Sequence, residues 1–381
     1  MTESDLKKLN IARIVVLLLA VVYVLSIILI NTTAMSFDSL RRFFFDIKSA
    51  LSLDIPESNV IDFEPADKNT YSVFKDGLAI LSQKKLTVYS RNNVIISNYI
   101  INLSEPVLDV SDDYMLVFDR GGNTVKLCGS FDEYGTVTTN DSIITASVSD
   151  KGYFAVVTEA YGYNAQVTVY NKKMDVLFYW YSSETYVIDV VFSASDVISV
   201  IGIAPDKENI DVYIHRINFR TGELQKNYII EDAFPVGIKQ KNDNSCEILT
   251  DEGVYSVRSD FARKISNDIT ASTVTYFQDE RNTVILSSVD SVLDEYSVTA
   301  VSSTGTKLFT LNIIGVNDVC CFYDVFLVLC DNELYVIDDE GKTLYTVETD
   351  GQYNGIRANR EALYLIGNDS AEKIDISEAF S

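Results

Sequence analysis

Three aspartates in similar β-prone segments are the first candidates for chemistry. Asp109, Asp189 and Asp318 lie in VLDV, VIDVV and NDVCCF. If these segments are the innermost strands of a ring of sheets, their carboxylates face a central channel, where they would form a polar or cation-binding ring. Arg357 lies at a matching place in the last segment and would neutralise one carboxylate. The simpler alternative, which we favour, is that all four are solvated or hydrogen-bonded strand residues.

Other chemistry-bearing residue types are scarce. The chain has one His, one Trp and five Cys, which leaves few ligands for zinc, haem or iron–sulfur centres. The G-x-S-x-G, H-E-x-x-H, P-loop and EF-hand patterns are absent, and no Ser or Cys nucleophile can be paired with His215 from sequence. We therefore predict no catalytic, cofactor-binding or metal-binding residue and no cofactor. An activity is left open but disfavoured.

One aromatic run offers a possible ligand surface. Trp180 lies between Tyr179 and Tyr181 in VLFYWYS. We interpret Trp180 as packing between sheets, because aromatic side chains supply large buried area. Stacking of the three rings on a carbohydrate is the alternative.

Composition limits the class of protein. Of 381 residues, 47% are hydrophobic and 23% charged, and 55 acidic against 31 basic side chains give a net charge of −24. Such apolar content excludes intrinsic disorder. The acidic balance argues against nucleic-acid binding, because phosphate affinity requires clustered Lys and Arg.

An uncharged apolar run from Ile14 to Ile30 lies near the N-terminus, and Ile11 and Ala12 extend the apolar segment to about 20 residues. It is long enough to cross a hydrocarbon core of about 30 Å and too long for the apolar region of a cleaved signal peptide. It predicts an uncleaved signal-anchor helix that contacts membrane lipid. The lipid-facing residues would include Ile14, Leu17, Leu18, Val21, Val24, Leu25 and Ile28.

The orientation of this anchor is less well determined. Three basic residues precede the span and three follow it, but Lys7, Lys8 and Arg13 upstream lie closer to its boundary. Large C-terminal domains also translocate largely regardless of charge. We therefore predict a single-pass protein of the cell membrane with its N-terminus in the cytoplasm and its domain outside. An odd number of Cys without disulfide spacing opposes an exported domain.

The segment after the span shows a helical period. Apolar residues at spacings of three and four form one stripe, which predicts a short amphipathic helix. The stripe consists of Phe37, Leu40, Phe44, Ile47 and Leu51. The helix would lie at the membrane interface or pack against protein, and the two interpretations have equal weight.

Beyond residue 60, one unit recurs eight times: an apolar strand, a polar turn and a second apolar strand, followed by a third and usually a fourth strand. The copies begin at steps of 36 to 48 residues, from Val73 to Ala358. That is the period of a four-stranded propeller blade. The fold predicted is an all-β propeller of eight blades, or seven if one copy is miscounted, preceded by one transmembrane helix and the amphipathic helix.

The eighth copy ends after its third strand. The segment NVIDF, with Val60, Ile61 and Phe63, precedes the first copy and has no other assignment. We predict that it closes the ring as the fourth strand of the last blade, since an open ring would leave strand edges unpaired.

These features together resemble an uncharacterised bacterial family of membrane-anchored β-propellers, classified as a domain of unknown function. The resemblance rests on the N-terminal span, the linker with paired Arg41 and Arg42, and blades with turns such as VSDKG at Val148. The apolar run, the helical period and the repeats together predict residues 1–10 as a tail, 11–31 as the span, 32–58 as the linker and 59–381 as the propeller. The resemblance covers essentially the whole chain. It implies no activity.

The function expected is a non-catalytic binding or scaffold module for an envelope protein or glycan. Three longer segments, Glu159–Gln166, Ala204–Ile210 and Ser287–Glu295, would form its binding face. The alternatives are a propeller hydrolase or lyase acting on envelope polysaccharide or peptide, and a sensor or assembly subunit of a membrane complex.

Overall fold

The computed structural model describes residues 37–52, 59–65, 69–207, 209–241, 245–266, 272–279, 281–349, 351–359 and 361–374. The chain divides into two compact units, Met1–Leu53 and Asp54–Ser381. The predicted tail and span, residues 1–31, lie outside the described residues. Within the described parts, no helix is both long enough and apolar enough to cross a membrane.

The first unit contains the helix α1 (Phe37–Ser52). The five residues of the predicted stripe all fall within it: Phe37, Leu40, Phe44, Ile47 and Leu51. Phe44 and Ile47 are exposed, as is Phe43 beside them, whereas Arg42 and Asp46 are buried. Part of the apolar stripe is therefore accessible, and polar side chains are enclosed.

The second unit is built from β-strands, whose bounds are as follows. The strands of the first half are β1 (Val60–Asp62), β2 (Thr70–Phe74), β3 (Gly77–Leu81), β4 (Lys85–Tyr89), β5 (Ile95–Ile100), β6 (Pro106–Val110), β7 (Met115–Asp119), β8 (Thr124–Cys128), β9 (Glu133–Thr138), β10 (Ile143–Val148), β11 (Phe154–Ala160), β12 (Tyr163–Tyr170), β13 (Val176–Ser182), β14 (Tyr186–Ala194), β15 (Val197–Asp206) and β16 (Asn209–Asn218). Those of the second half are β17 (Glu223–Ile230), β18 (Pro235–Gln240), β19 (Cys246–Thr250), β20 (Gly253–Val257), β21 (Ala262–Ser266), β22 (Thr273–Gln278), β23 (Asn282–Asp290), β24 (Glu295–Ser302), β25 (Lys307–Ile314), β26 (Val316–Phe322), β27 (Val325–Cys330), β28 (Glu333–Ile337), β29 (Thr343–Glu348), β30 (Tyr353–Ala358), β31 (Leu363–Gly367) and β32 (Ser370–Ile374).

In the described residues these strands form eight antiparallel sheets of four strands each, which confirms the predicted eight-bladed propeller. Blade 1 is β2 to β5, and each later group of four strands makes the next blade through blade 7. The fourth copy of the repeat, which begins at Phe192 and is the longest of the eight, forms a complete blade. Its extra residues lengthen β15 and β16 to ten residues each.

The eighth blade combines the first strand of the propeller with its last three strands. Its strand order is β1-β32-β31-β30, with Val60 opposite Glu372 and Ile61 opposite Ala371. The Phe63 amide donates to the Asp369 carbonyl at 2.8 Å. The N-terminal strand is therefore the fourth strand of the last blade, the place that the sequence analysis assigned to it.

Glycine supports the tight turns between third and fourth strands. Gly222, Gly305 and Gly341 have φ values of 75°, 86° and 81°, a left-handed conformation that costs little only where no Cβ is present. The sequence motifs R-T-G, S-T-G and D-E-G end on these residues, and glycine at such positions is typical of tight hairpin turns.

Apolar side chains form one buried cluster at each of the eight junctions between blades. Val167 of blade 3 packs with Phe192 and Val200 of blade 4, for example. The cluster between blades 5 and 6 is small and includes Leu249 and Ile285. Burial between sheets explains why the middle strands read as continuous apolar runs.

The antiparallel topology gives the propeller two distinct ends. At one end, which we call the tight-turn end, strand 1 of a blade turns into strand 2 and strand 3 into strand 4. At the other, the projecting end, strand 2 turns into strand 3 and the chain crosses to the next blade. Every connection of one kind must therefore emerge at the same end.

Candidate functional site

The first strands of successive blades contact one another around the centre, as β10 does with β14 and β26 with β30. Asp109 lies in β6, Asp189 in β14 and Asp318 in β26. Arg357 lies in β30. The four channel-lining candidates thus all fall on innermost strands, and all are half-buried.

Two of these aspartates share a local geometry that the third lacks. A register shift precedes Asp189 in β14 and Asp318 in β26, and such bulges re-aim the side chain that follows. Each carboxylate then accepts from the amide of the next residue, Val190 at 2.8 Å and Val319 at 2.9 Å. β6 has no register shift against β7.

Asp318 joins blade 7 to blade 8. Its Oδ2 accepts from the Ile356 amide at 3.1 Å and from Nη1 of Arg357 at 2.8 Å. The same Nη1 donates to the Ile356 carbonyl at 2.6 Å. The pairing of Arg357 with a channel carboxylate thus serves the contact between blades.

Asp109 and Asp189 also bond to neighbouring blades. Oδ2 of Asp109 accepts from the Val148 amide of blade 3 at 2.7 Å, and Oδ1 of Asp189 accepts from the Thr145 hydroxyl of blade 3 at 3.1 Å. Burial raises the pKa of Asp109. Burial, with a smaller effect from the Asp109 charge, raises the pKa of Asp189 to about 6.

These contacts assign the channel aspartates a structural role in the geometry observed. Each carboxylate accepts a bond from an adjacent blade, as the simpler interpretation of the sequence requires. Among the described residues, no three His, Cys, Asp or Glu side chains come together in a way that could hold a metal ion. The arrangement is a polar lining in which the residues support the strands.

His215 belongs to a hydrogen-bonded chain at the projecting end. Its Nδ1 donates to Oδ1 of Asn227 at 2.8 Å, and its Nε2 lies 3.4 Å from the Thr185 hydroxyl. Burial lowers the pKa of His215. The order hydroxyl, imidazole and amide resembles a nucleophile with its base, but Thr185 is only 1% exposed. In this geometry these hydrogen bonds anchor the segment that crosses from blade 3 to blade 4.

The structure separates the three aromatic residues of VLFYWYS. Trp180 packs against the apolar cluster between blades 3 and 4, and its ring lies 5.1 Å from that of His215. Tyr179 and Tyr181 point to the opposite face of the sheet and are exposed. The three rings therefore do not form a single stacking platform.

All five cysteines are free and buried. Cys320 and Cys321 lie on a first strand and the other three on second or third strands. Burial raises the pKa of Cys128 to about 12 and that of Cys246 to about 11. Protonated, enclosed thiols are poor nucleophiles and metal ligands. They act here as small apolar residues.

Three of the hairpins that extend from the projecting end are longer than the others at that end. They are β11–β12, β15–β16 and β23–β24, with strands of seven to ten residues. They coincide with the segments Glu159–Gln166, Ala204–Ile210 and Ser287–Glu295 that the sequence singled out. The extra residues lengthen the strands and leave the turns short. The face at the projecting end is therefore built from these three two-stranded hairpins, which we call the ribbons.

Apolar side chains are exposed at the tips of these ribbons. Tyr161 is fully exposed, Val292 is 90% exposed and Leu293 is 61% exposed. Ile210 and Val289 are exposed beside them. The sequence analysis named the three segments but not these side chains, although a signal exists: Tyr161, Val292 and Leu293 are apolar at turn positions, where polar residues are expected.

The tight-turn end is linked across blades. The Asn359 amide of blade 8 donates to the Lys75 carbonyl of blade 1 at 2.8 Å, and Lys75 pairs with Asp113 of blade 2. Lys241 of blade 5 donates to the Asp279 carbonyl of blade 6 at 2.6 Å. Similar links join blades 2 and 3, 3 and 4, 4 and 5, and 6 and 7.

One of these links continues into a buried ion pair. Lys241 lies 3.0 Å from Oε2 of Glu247, and both side chains are 2% exposed. The same oxygen accepts from Gln278 at 3.2 Å and Thr283 at 3.0 Å. This polar cluster fills the junction between blades 5 and 6, where the apolar cluster is small.

Solved structures with similar folds are propellers and related proteins of low sequence identity. BamB from Moraxella catarrhalis is 14% identical, with a TM-score of 0.53 over 82% of this chain and 97% of that chain. The Dos1 propeller is 11% identical, with a TM-score of 0.54 over 83% and 95%. A eukaryotic initiation factor is 13% identical, with a TM-score of 0.51 over 82% and 90%. At such identities the likeness shows the fold alone.

The sequence comparisons give a family without an activity. No curated protein matches the chain. The family described as "Family of unknown function (DUF5711)" matches residues 54–376, which spans the propeller. The chain therefore belongs to this family.

Proposed function

We propose that this member of a family of unknown function is a non-catalytic binding module and that the projecting end of its propeller contacts a protein partner. One observation carries the proposal: the three longest hairpins of the projecting end expose apolar side chains at or beside their tips. Exposed apolar groups gathered on one surface are typical of interaction sites.

The distribution of exposed apolar residues around the propeller supports this choice of face. Most of them lie at or beside the projecting end, including Tyr161, Ile210 and Leu293. Those nearer the tight-turn end are scattered singly at the starts of fourth strands, as Ile95 and Leu344 are. Single exposed apolar residues are normal on any protein, whereas a group is informative.

Site-specific photo-crosslinking in cells tests the proposal. A photoreactive residue at position 161 or 292 should yield a discrete crosslinked protein. The matched control places the same residue at position 344, which is also exposed and apolar but lies at the tight-turn end. Equal crosslinking from both ends, or none from 161 and 292, would contradict the assignment of this face.

The enzyme alternative has less support. The channel carboxylates each bond to a neighbouring blade, and the hydroxyl beside His215 is enclosed. An acid or base in catalysis needs access to a substrate proton. Substrate turnover that is lost on changing Asp109, Asp189 or Asp318, with the fold retained, would revive this alternative.

A glycan is the finer alternative for the partner. The rings of Tyr163 and Tyr181 lie 4.8 Å apart near the projecting end, and paired tyrosines offer apolar faces with hydroxyl groups. A double Tyr163→Ala, Tyr181→Ala variant that loses binding to isolated envelope glycan would support it. We favour protein because two of the three ribbons carry exposed aliphatic residues at or beside their tips, Ile210 on one and Val292 and Leu293 on the other, and these offer no ring to stack on a sugar.

Membrane attachment is part of the same proposal and rests on the apolar N-terminal sequence. The exposed Phe43, Phe44 and Ile47 of α1 support an interfacial role for that helix. Protease digestion of intact against lysed cells tests the orientation. Digestion in intact cells would support a propeller outside the membrane, and protection until lysis would support one facing the cytoplasm.

A further inference from the structure

The connections at the two ends of the propeller differ in charge. In the described connections of the projecting end, acidic side chains outnumber basic ones by eleven to three. In those of the tight-turn end the ratio is fourteen to ten. The net negative charge is therefore larger at the projecting end, where the apolar tips lie.

The acidic residues of the two ends also differ in what surrounds them. At the tight-turn end, ion pairs such as Lys75 with Asp113, and Arg281 with Asp324 at 3.4 Å, offset the carboxylates locally. At the projecting end the exposed Glu252 lies 3.9 Å from Lys264, a separation at which an exposed pair contributes little. The described connections of the projecting end therefore carry a clear net negative charge.

Acidic side chains flank the apolar ones at the tip of the β23–β24 ribbon. In the β23–β24 turn, Val292 and Leu293 lie between Asp290 and Asp294. Asp290 accepts from the Val292 amide at 2.8 Å, which shapes the turn and holds both apolar side chains outward. A partner that covers these tips must bring apolar surface and positive charge together.

We propose that the occupant of the projecting end is a polypeptide surface or segment that combines Lys or Arg with aliphatic or aromatic residues. The inference rests on the proposed binding function and names the chemistry of its partner. Positive charge on the partner would steer association toward this end and suppress acidic competitors. The apolar tips would supply the buried contact. Anionic lipid and nucleic acid are repelled by the same negative charge.

Selection of random-sequence peptides on the full-length chain tests the partner chemistry directly. We expect retained peptides to be enriched in Lys or Arg together with apolar residues. Their affinity should fall steeply between about 0.1 M and about 1 M salt, over which the Debye length falls from about 10 Å to about 3 Å.

Isosteric variants assign the binding to one end. Glu184→Gln, Glu231→Gln and Glu252→Gln, combined, neutralise three exposed carboxylates of the projecting end. We expect a loss of affinity for the selected peptides on the order of tenfold, the scale of electrostatic effects at such surfaces. The matched control combines Asp339→Asn, Glu340→Gln and Glu361→Gln at the tight-turn end and should leave the affinity unchanged.

Three results would overturn the inference: retention of neutral or acidic peptides, equal losses in both triple variants, or no preferential retention of any sequence. The failure of this inference is distinguishable from failure of the binding function. A crosslink at position 161 or 292 that survives the Glu184, Glu231 and Glu252 variants and high salt would keep the binding face and remove the basic partner.

Discussion

The tight-turn end and the projecting end of the propeller are assembled from the same strands but satisfy their polar groups differently. At the tight-turn end, side chains of one blade bond to the turn of the next, as Asn359 does to Lys75 and Lys241 to Asp279. At the projecting end, ribbons of up to ten residues per strand extend outward with apolar tips. One end holds the ring together, and the other offers surface to a partner.

The two ends of the same repeated blades can serve different roles. Each blade contributes to both ends, because strand polarity places its two kinds of connection on opposite sides. Short turns at one end keep the blades in register with their neighbours. Lengthening β11–β12, β15–β16 and β23–β24 then changes the surface of the other end without altering the junctions.

The largest difference in stability between the two ends should come from the buried ion pair at the tight-turn end. Glu247→Gln removes the negative charge that faces Lys241, which is 2% exposed. An uncompensated buried charge should lower the free energy of unfolding by about 3–5 kcal/mol. Urea denaturation of both proteins measures the difference.

The matched control for that change is Glu252→Gln at the projecting end. Glu252 is exposed and 3.9 Å from Lys264, so its loss should change stability by less than about 0.5 kcal/mol. Adding Lys241→Met to Glu247→Gln should recover part of the loss, because the unpaired charge is then gone. Similar effects of Glu247→Gln and Glu252→Gln would contradict the division between the ends.

Much of the fold was predictable because it depends on local, repeated signals. The eight copies, their turns and the assignment of Val60 and Ile61 to the last blade follow from period and alternation. The N-terminal strand could be placed because the eighth copy lacked a fourth strand and only one segment was unassigned. In the fourth copy, the sequence revealed that residues were added but not that they extend the strands, because the extra residues of β15 and β16 resemble a loop in sequence.

The site was less predictable because it depends on contacts between blades. Sequence placed Asp109, Asp189 and Asp318 on innermost strands, but it treated them as equivalent. The register shifts before Asp189 and Asp318 depend on pairing with the second strand, which no local signal reveals. Strand alternation separates Trp180 from Tyr179 and Tyr181, which agrees with the interpretation of Trp180 as a packing residue and not with the alternative of a three-ring stack.

The channel wall between the two ends should respond to pH through Asp189. Burial raises its pKa to about 6, above the value of about 3.9 expected in an unfolded chain. The stability that protonated Asp189 contributes is fully present below pH 4 and is lost as pH rises through 6. Asp189→Asn keeps an oxygen that can accept from Thr145 and Val190.

We therefore expect Asp189→Asn to be more stable than the unsubstituted protein at neutral pH, by on the order of 1–2 kcal/mol. The gain should shrink as pH falls toward 4, because the native carboxyl is then protonated. Urea denaturation across this range measures it. Asp339→Asn, an exposed control at the tight-turn end, should show no such trend, and a constant gain at all pH values would contradict titration of Asp189.

The link that closes the ring at the tight-turn end should have a smaller effect. Asn359→Ala removes the donor to the Lys75 carbonyl between blades 8 and 1, together with the acceptor of the Glu361 and Ala362 amides in its own turn, and should cost about 1 kcal/mol. Asn368→Ala at the projecting end removes an exposed bond to Asn354 of 3.0 Å and should cost less than half as much. Thermal unfolding of the two variants tests the order, which the comparison requires.

The smallest effect on stability should accompany the largest effect on binding. Leu293 is 61% exposed at a ribbon tip, so Leu293→Asp removes no buried contact and should change the free energy of unfolding by less than about 0.5 kcal/mol. It should abolish crosslinking from position 161, because the charge enters the apolar contact. Leu344→Asp, 47% exposed at the other end, should alter neither property. If Leu293→Asp instead destabilises the propeller as much as Asn359→Ala does, the tip packs against the protein itself and the projecting end is not free to bind.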